Sequence, residues 1–236
     1  MNQMDNCVSY CNRDQRLAHR RGPPRVGRTG LASVEMTANR AIRWWPLVGV
    51  LAMLLLGWVV GKGSTPVDDA VLQAAHDVLG QRPSWLLVFT DWWLLGPVLA
   101  ACLVVALCRR RWRLAVVVAV WPLVAIATVE AIKRLFERRN ARCSCPPETL
   151  EYPSGHITIV VVVMGMVVLV SGGRLWAMAV AVAVSRLGVL GEIACRFHFF
   201  TDTIGGVLLG TALVCLAARL AGCLPATRRP PLVDAG

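Results

Sequence analysis

Long apolar stretches separated by short polar segments make up most of the chain after residue 43. Six such stretches lie at about residues 44–60, 86–108, 114–132, 157–171, 176–194 and 204–224. A helix needs about 20 apolar residues, with a range of about 17–25, to cross the hydrocarbon core of a bilayer. The pattern therefore predicts an all-α integral membrane bundle of six transmembrane helices.

The fourth stretch is short for a span unless the residues just before it join the helix. Ser154 has a side chain suited to the N-cap position, and Gly155 and His156 follow it directly. We therefore expect these residues to form the beginning of the fourth helix.

Between the first two stretches, a polar segment has the pattern of a helix start. Thr65 suits the N-cap and Pro66 the first helical position, and Asp68 and Asp69 favour the positive end of the helix dipole. Apolar residues then recur at helical spacing at Val67, Val71, Val78 and Leu79. We expect a short amphipathic helix on the outer membrane surface, with an ordinary loop helix as the alternative.

The distribution of Lys and Arg predicts the orientation in the membrane. Residues 1–43 are Arg-rich and predict a disordered cytoplasmic tail. The segment Arg109–Arg113 lies on the same side, because short cytoplasmic loops are enriched in basic residues. The expected organisation is this tail, a six-helix membrane domain over residues 44–224, and a cytoplasmic C-terminal tail over residues 225–236.

Composition agrees with the membrane interpretation. Apolar residues make up 56% of the chain, above the usual 45–50%, and the mean hydropathy is +0.57. The net charge of +11 is explained by topology, so no nucleic-acid partner is expected. The abundance of Arg, Ala and Val is typical of a bacterial protein, which places the chain in a bacterial cell membrane.

One basic cluster lies on the side of the membrane opposite the cytoplasmic arginines. Its members are Lys133, Arg134, Arg138, Arg139 and Arg142. Because this position is contrary to the topology rule, the cluster needs another reason, and an anionic substrate is the simplest one.

The cysteines give no sign of a metal site. None of the nine forms a Cys-x-x-Cys pattern, and neither a metal nor a cofactor is expected. Cys195 is a candidate for pairing with Cys143 or Cys145 if the outer compartment is oxidising.

The start of the fourth helix carries candidate phosphate chemistry. Free N–H groups at Ser154 and Gly155 suit phosphate oxygens, and His156 beside them can protonate a leaving oxygen. The alternative is a plain helix cap with an interfacial histidine.

The start of the sixth helix carries a second histidine. His198 and Asp202 are four residues apart, which on a helix places both side chains on one face. A carboxylate can then hold one ring nitrogen protonated and leave the other as a nucleophile. The alternative is an interfacial histidine with an incidental aspartate.

Taken in order, these features resemble the type-2 phosphatidic acid phosphatase (PAP2) superfamily of membrane lipid phosphatases. The resemblance covers roughly residues 44–222 and rests on six spans, a Lys- and Arg-rich loop, Pro153-Ser154-Gly155-His156 and His198-x-x-x-Asp202. It implies metal-independent hydrolysis in which His198 forms a phosphohistidine, Asp202 orients it and His156 protonates the leaving group.

The resemblance also implies a set of groups that hold the phosphate oxygens. These are Lys133, an arginine of the same loop, and the backbone of Ser154 and Gly155.

Two positions depart from the family pattern. Asn140 stands where the first motif has arginine, and Arg138 or Arg139 would substitute for it, with Arg139 favoured. Glu192 stands where the third motif has arginine, and Arg186 or Arg196 would have to take its place.

The favoured hypothesis is a phosphatase acting on a prenyl phosphate or diphosphate, or on a phosphatidyl phosphate, at the extracytoplasmic face of the membrane. The altered motifs keep open a catalytically impaired relative that binds anionic lipid or scaffolds other membrane proteins. A transporter is a third hypothesis, which predicts broken helices or internal repeats; no clear repeat is present.

Overall fold

The computed structural model describes residues 28–80, 83–139 and 149–223, with side chains from Arg43 onward. The chain divides into two compact units, residues 1–38 and residues 39–236. Of the first unit, only the helical residues from Arg28 are described. Most of the two predicted tails therefore lies outside the described residues, and their disorder stays a prediction.

The described residues are helical and contain no strand. The α-helices are α1 (Arg28–Val60), α2 (Pro66–Leu79), α3 (Trp92–Cys108), α4 (Trp112–Phe136), α5 (Gly155–Ser171), α6 (Leu175–Ala194) and α7 (Phe200–Leu220), and a 3₁₀ helix covers Ser84–Phe89. Five segments are long and apolar enough to cross a membrane: Arg43–Val60, Ser84–Cys108, Trp112–Phe136, Leu175–Ala194 and Phe200–Leu220. The structure thus confirms an all-helical, multi-pass membrane protein.

The first helix begins earlier than the sequence predicted, whereas the second predicted span is confirmed. α1 begins at Arg28, so residues 28–43 are helical where a disordered tail was expected; this stretch is rich in the helix formers Ala, Leu, Met, Glu and Arg. The second predicted span, residues 86–108, is present as the candidate span Ser84–Cys108. Within it, the side chain of Asp91 accepts a hydrogen bond of 3.1 Å from the N–H of Trp93 and caps α3.

The short helix α5 lies at the centre of the bundle. It packs against α3, α4, α6 and α7, and most of its residues are buried. A helix that is apolar on all sides is stable in such a position. As predicted, Gly155 and His156 form its first turn, and the Ser154 hydroxyl caps it by accepting from the N–H of Ile157 at 3.4 Å.

The predicted amphipathic helix is present as α2. Thr65 caps it and Pro66 is its first residue. It packs against α6 and α7, and Nε2 of His76 lies 2.9 Å from the carbonyl oxygen of Ala194 at the end of α6. α2 therefore lies over the ends of the two helices that lead into and out of the His198 loop.

A fully buried arginine joins α2 to the segments around it. Arg138 is 0% exposed. Its Nη1 donates to Asp202 Oδ1 and to Thr201 Oγ1, both at 2.7 Å, and its Nη2 donates to Asp68 Oδ2 at 2.9 Å and to the Gly63 carbonyl at 2.7 Å. The guanidinium carbon also lies 4.7 Å from the centre of the Phe199 ring.

These contacts do not fit the predicted role of Arg138 in phosphate binding. All of its nitrogens already have acceptors, since Nε also donates to Gly63 at 3.2 Å, and no part of the side chain is exposed. Arg138 instead links α2, the end of α4 and the start of α7.

Asp68 is the second buried charge of this cluster. Burial on its own raises the pKa of Asp68, but the N–H and hydroxyl groups of Thr201 and Thr65 hydrogen-bond to the carboxylate. Their effect is larger, so the pKa lies below its ordinary value of 3.8. Asp68 is therefore held in its charged form, as the ion pair with Arg138 requires.

A glycine allows α5 and α7 to approach each other next to the cluster. A Cβ at Gly206 would lie 2.8 Å from the Ser154 carbonyl oxygen and 3.2 Å from Cβ of Ile157. Because the first of these is a backbone atom, a larger residue would push the start of α5 away from α7.

We predict that Gly206→Ala lowers the free energy of unfolding by about 1–3 kcal/mol, the usual effect of overpacking. The matched control is Gly63→Ala, whose added Cβ would meet no atom within 4 Å and should change stability by less than about 1 kcal/mol. Thermal unfolding of both variants in detergent measures the difference, and equal effects would contradict the close approach.

We predict that Asp68→Asn lowers the free energy of unfolding by about 3–5 kcal/mol at neutral pH, because it breaks a buried ion pair by removing one partner. The pKa of Asp68 is lowered on folding, so its contribution is present above 3.8 and is lost only as the pH falls through the folded-state value.

Unfolding of Asp68→Asn and wild type should be compared across this pH range. The difference in the free energy of unfolding between wild type and Asp68→Asn should be constant at neutral and mildly acidic pH and should narrow only below pH 3.8. Asp69→Asn, at an exposed position of the same turn, should cost less than about 1 kcal/mol. If this difference disappears already at neutral pH, the conclusion that Asp68 is charged in the folded protein is wrong.

Candidate active site

The segment before α5 is fixed by a buried tyrosine and by a backbone contact to α7. The Tyr152 hydroxyl donates to the carbonyl oxygen of Met53 in α1, and its ring packs edge-on against Phe136 with centroids 5.0 Å apart. The N–H of Ser154 donates to the Asp202 carbonyl at 3.1 Å. These contacts hold the start of α5 beside the start of α7.

The two predicted histidines meet at this junction. The ring centroids of His156 and His198 are 5.9 Å apart, with the ring planes at 70°. His156 is in the first turn of α5, and its side chain is 57% exposed, whereas that of His198 is 7% exposed.

His198 lies in the loop before α7, so the expectation of a shared helix face with Asp202 was wrong. α7 begins at Phe200, and the His198 N–H donates to the Glu192 carbonyl at 3.3 Å. Asp202 turns back on the helix start, where its Oδ2 accepts from the Phe199 N–H at 3.1 Å. An acid in the first turn is favoured there by the helix dipole, and the same oxygen lies 3.9 Å from Nδ1 of His198.

The carboxylate nearest to His198 is Glu151, which the sequence analysis missed. Glu151 Oε2 lies 2.7 Å from Nδ1 of His198, compared with 3.9 Å for Asp202 Oδ2. Glu151 is buried, and its N–H donates to the Arg138 carbonyl at 2.9 Å. The sequence signal that could have identified Glu151 is its position directly before the Tyr-Pro-Ser-Gly-His motif. Its contact with His198 could not be predicted from spacing, because loop residues have no regular periodicity.

The charges around His198 favour its protonated ring. Burial on its own lowers the pKa of His198, because it disfavours the cation. Contact with Glu151 and the charges of Glu192 and Asp202 outweigh burial, and the pKa is raised above 6.5.

Glu192, which stands where the resemblance predicts an arginine, contacts the other histidine. Its Oε1 lies 3.5 Å from Nδ1 of His156, and its side chain is 2% exposed. Its Oε2 is buried and has no hydrogen-bond partner in the described part of the chain. The acid at this position therefore lies close to both imidazoles, with ligand atoms of the three residues within 4.8 Å of one another.

A cavity of about 250 Å³ opens beside the histidines. Its polar lining includes Glu130, Lys133, Glu151, His156 and His198, and its apolar lining includes Trp92, Ile126, Val129, Ile159 and Phe197. Nζ of Lys133 lies 3.3 Å from Oε1 of Glu130. The cavity therefore has a polar end with the histidines and an apolar wall made by α3, α4 and α5.

The predicted phosphate-binding residues separate into two groups. Lys133 and Gly155 line the cavity beside His156 and His198. Ser154 is buried and its N–H is engaged by Asp202, so the open donors of the first turn are the N–H groups of Gly155 and His156, which have no acceptor within the helix.

The predicted arginines are placed elsewhere. Arg139 is exposed and is not among the residues that line this cavity. Arg186 lies within the α6 span and lines another cavity, of about 610 Å³, between α5, α6 and α7. Asn140, Arg142, Cys143 and Cys145 lie outside the described residues, so the predicted pairing with Cys195 stays a prediction.

Two sets of side chains bring possible metal ligands together. His156, Glu192 and His198 form one, and Glu151, His198 and Asp202 form the other; within each set, the ligand atoms lie within 4.8 Å of one another. Cysteine motifs could not predict either set, because the sets consist of histidines and carboxylates. Local spacing could not predict them either, because the residues come from separate segments.

The comparisons with known proteins agree with this geometry. Residues 136–222 match the model of the PAP2 superfamily, a segment that runs from the end of α4 to the end of α7. No curated protein matches the sequence.

A solved structure has a similar fold. It is the crystal structure described as the first transmembrane PAP2 type phosphatidylglycerolphosphate phosphatase from Bacillus subtilis. The TM-score is 0.61 at 20% identity, and the match covers 78% of this chain and 100% of that chain. The resemblance inferred from the sequence is confirmed: residues 136–222 match the PAP2 superfamily model, and the fold of the chain is similar to that of a PAP2-type membrane protein.

Proposed function

We propose that this protein is a membrane lipid phosphatase that hydrolyses a lipid phosphate or diphosphate through a phosphohistidine intermediate. The observation that carries the proposal is the pair of imidazoles, with centroids 5.9 Å apart, at one cavity with an apolar wall. A prenyl phosphate or diphosphate, or a phosphatidyl phosphate, has the matching combination of an anionic head and an apolar tail.

In the proposed reaction His198 is the nucleophile. With a proton on Nδ1 facing Glu151, Nε2 attacks phosphorus, and the bond between phosphorus and the leaving oxygen breaks. His156 gives its proton to that oxygen. Water then attacks the phosphohistidine, His156 takes the proton from water, and the phosphorus–nitrogen bond breaks to release phosphate and restore both rings.

Lys133 and the start of α5 supply the groups that stabilise the phosphate oxygens. The N–H groups of Gly155 and His156 point out of the helix start, where the helix dipole also favours an anion. Fixed donors of this kind stabilise the negative charge that develops on the phosphate oxygens in the transition state.

The proposal places the cavity on the extracytoplasmic face of a bacterial cell membrane. The Arg-rich N-terminal residues and the Arg109–Arg113 loop would be cytoplasmic. α5, with 17 residues, is at the short end of the range for a span and would be the sixth. Residues 44–224 then form the phosphatase domain between two cytoplasmic tails.

One observation favours a second candidate, a catalytically impaired relative that binds anionic lipid. The described lining of the cavity includes the cation Lys133 and two carboxylates, Glu130 and Glu151. Lys133 pairs with Glu130, and Glu192 lies beside His156. Acids at a phosphate site oppose binding of the anion, so the activity has to be measured.

We predict that the purified chain releases phosphate from at least one lipid phosphate in the presence of EDTA. His198→Ala should lower turnover by roughly 10³-fold or more, because the covalent step is lost. His76→Ala, a histidine on α2 outside the cavity, should stay within about threefold of wild type. Release from no lipid of a broad panel would favour the lipid-binding candidate, and EDTA-sensitive release would contradict metal-free chemistry.

We predict that Glu151→Gln lowers kcat by about 10²–10⁴-fold, the range expected when a buried carboxylate no longer orients a catalytic histidine. Because Glu151 acts through His198, KM should change far less than kcat. Glu130→Gln, at the same cavity but paired with Lys133, is the matched control and should affect kcat less than tenfold. An equal loss in both variants, or a change in KM alone, would contradict the positioning role.

A further inference from the structure

The histidines and Glu192 have the composition of a metal site as well as of a phosphatase site. His156, Glu192 and His198 offer ligand atoms within 4.8 Å of one another. Nδ1 of His156 and Oε1 of Glu192 are 3.5 Å apart, close to the separation of two ligands on one tetrahedral ion with bonds of about 2.0–2.2 Å.

A second observation indicates that Glu192 can bind a cation. Its side chain is 2% exposed, and its Oε2 is buried without a hydrogen-bond partner in the described residues. A buried carboxylate oxygen in this condition is costly unless a cation or donor meets it. Oε1, which lies 3.5 Å from Nδ1 of His156, is the oxygen that would bind the ion, and the bound cation would also stabilise the buried negative charge that Oε2 shares.

His198 has a carboxylate partner on one ring nitrogen, as histidines that bind a metal usually do. A histidine ligand commonly presents its second ring nitrogen to a carboxylate, which fixes the ring. Glu151 occupies this position at 2.7 Å from Nδ1, and Nε2 is then the nitrogen left to bind an ion.

We propose that His156, Glu192 and His198 bind a divalent transition metal ion of the Zn²⁺ class. Two imidazoles and one carboxylate suit Zn²⁺ and leave its fourth position open to the cavity. Mg²⁺ and Ca²⁺ prefer oxygen ligands throughout, so they are weaker candidates. The site depends on Glu192, at the position where the resemblance predicts an arginine.

If the proposed phosphatase function holds, the bound ion inhibits it. The lone pair of Nε2 on His198 would be shared with the metal and could not attack phosphorus. Nδ1 of His156, 3.5 Å from Oε1 of Glu192, would be a second ligand, so the ring that donates the proton in the proposed reaction would be held by the ion. Metal binding and phosphohistidine formation therefore exclude each other.

Binding is tested on the full chain in detergent, freed of any affinity tag, stripped with EDTA and then freed of EDTA. We expect calorimetry with Zn²⁺ to show a site that Glu192→Gln weakens by at least about 10–100-fold. Co²⁺ should give the visible absorption of a tetrahedral ion in wild type and lose it in the variant. Glu130→Gln is the matched control and should bind Zn²⁺ within about twofold of wild type.

Two outcomes would overturn the metal site: a folded wild-type chain that does not bind Zn²⁺, or a folded Glu192→Gln chain with wild-type affinity. Thermal unfolding establishes that each chain is folded, and His156→Gln provides an independent ligand variant with the same expected loss.

Phosphate release is measured across the same Zn²⁺ titration. We expect half-inhibition at the concentration that half-fills the site, and unchanged release at saturation would overturn the inhibitory role. A chain that releases no phosphate even in EDTA would refute the proposed function, while the calorimetry would still decide the metal site.

Discussion

The structure around the site depends on one buried guanidinium. Arg138 contacts Asp68 on α2 and Asp202 on α7 through its side chain, and its own carbonyl oxygen accepts from the N–H of Glu151. Through these contacts one residue holds the helix that covers the loop, the start of the last span, and the carboxylate that faces His198. A buried charge without partners is strongly unfavourable, so the three segments are stable only together.

Much of the helical fold could be predicted because apolar runs and helix caps are local signals. Thr65 and Ser154 are capping residues at the predicted positions, and both histidines reach one cavity. The errors concern contacts between distant segments. Spacing predicted that His198 and Asp202 share a helix face. Nδ1 of His198 and Oδ2 of Asp202 are 3.9 Å apart, but the helix starts after His198, and Asp202 is also engaged by Arg138 and the Phe199 N–H. Glu151 approaches from a loop, where no periodicity applies.

The position of Arg138 in the structure shows why charge alone does not identify a phosphate ligand. In the sequence it is one of several basic residues in a loop, and the cluster was assigned to an anionic substrate. In the structure it is the member of the cluster that is fully buried, and its partners are the carboxylates Asp68 and Asp202. Lys133, at the end of α4, is the predicted cation that reaches the cavity within the described residues.

Both proposals use the same two imidazoles, and Glu192 connects them. As a buried acid beside His156 it opposes an anionic substrate, yet it completes a set of ligands for a cation. If both proposals hold, an anionic substrate and a metal cation compete for one cavity. The phosphatase activity would then fall as the concentration of the metal ion rises.

The claim that His198 carries the phosphoryl group during turnover is tested most directly by trapping. The chain is mixed with a lipid phosphate labelled at phosphorus, quenched in alkali during turnover, and mapped by peptide. The account predicts an acid-labile, alkali-stable label on the peptide that contains His198. Label on the His156 peptide, or steady turnover without any labelled histidine, would contradict it.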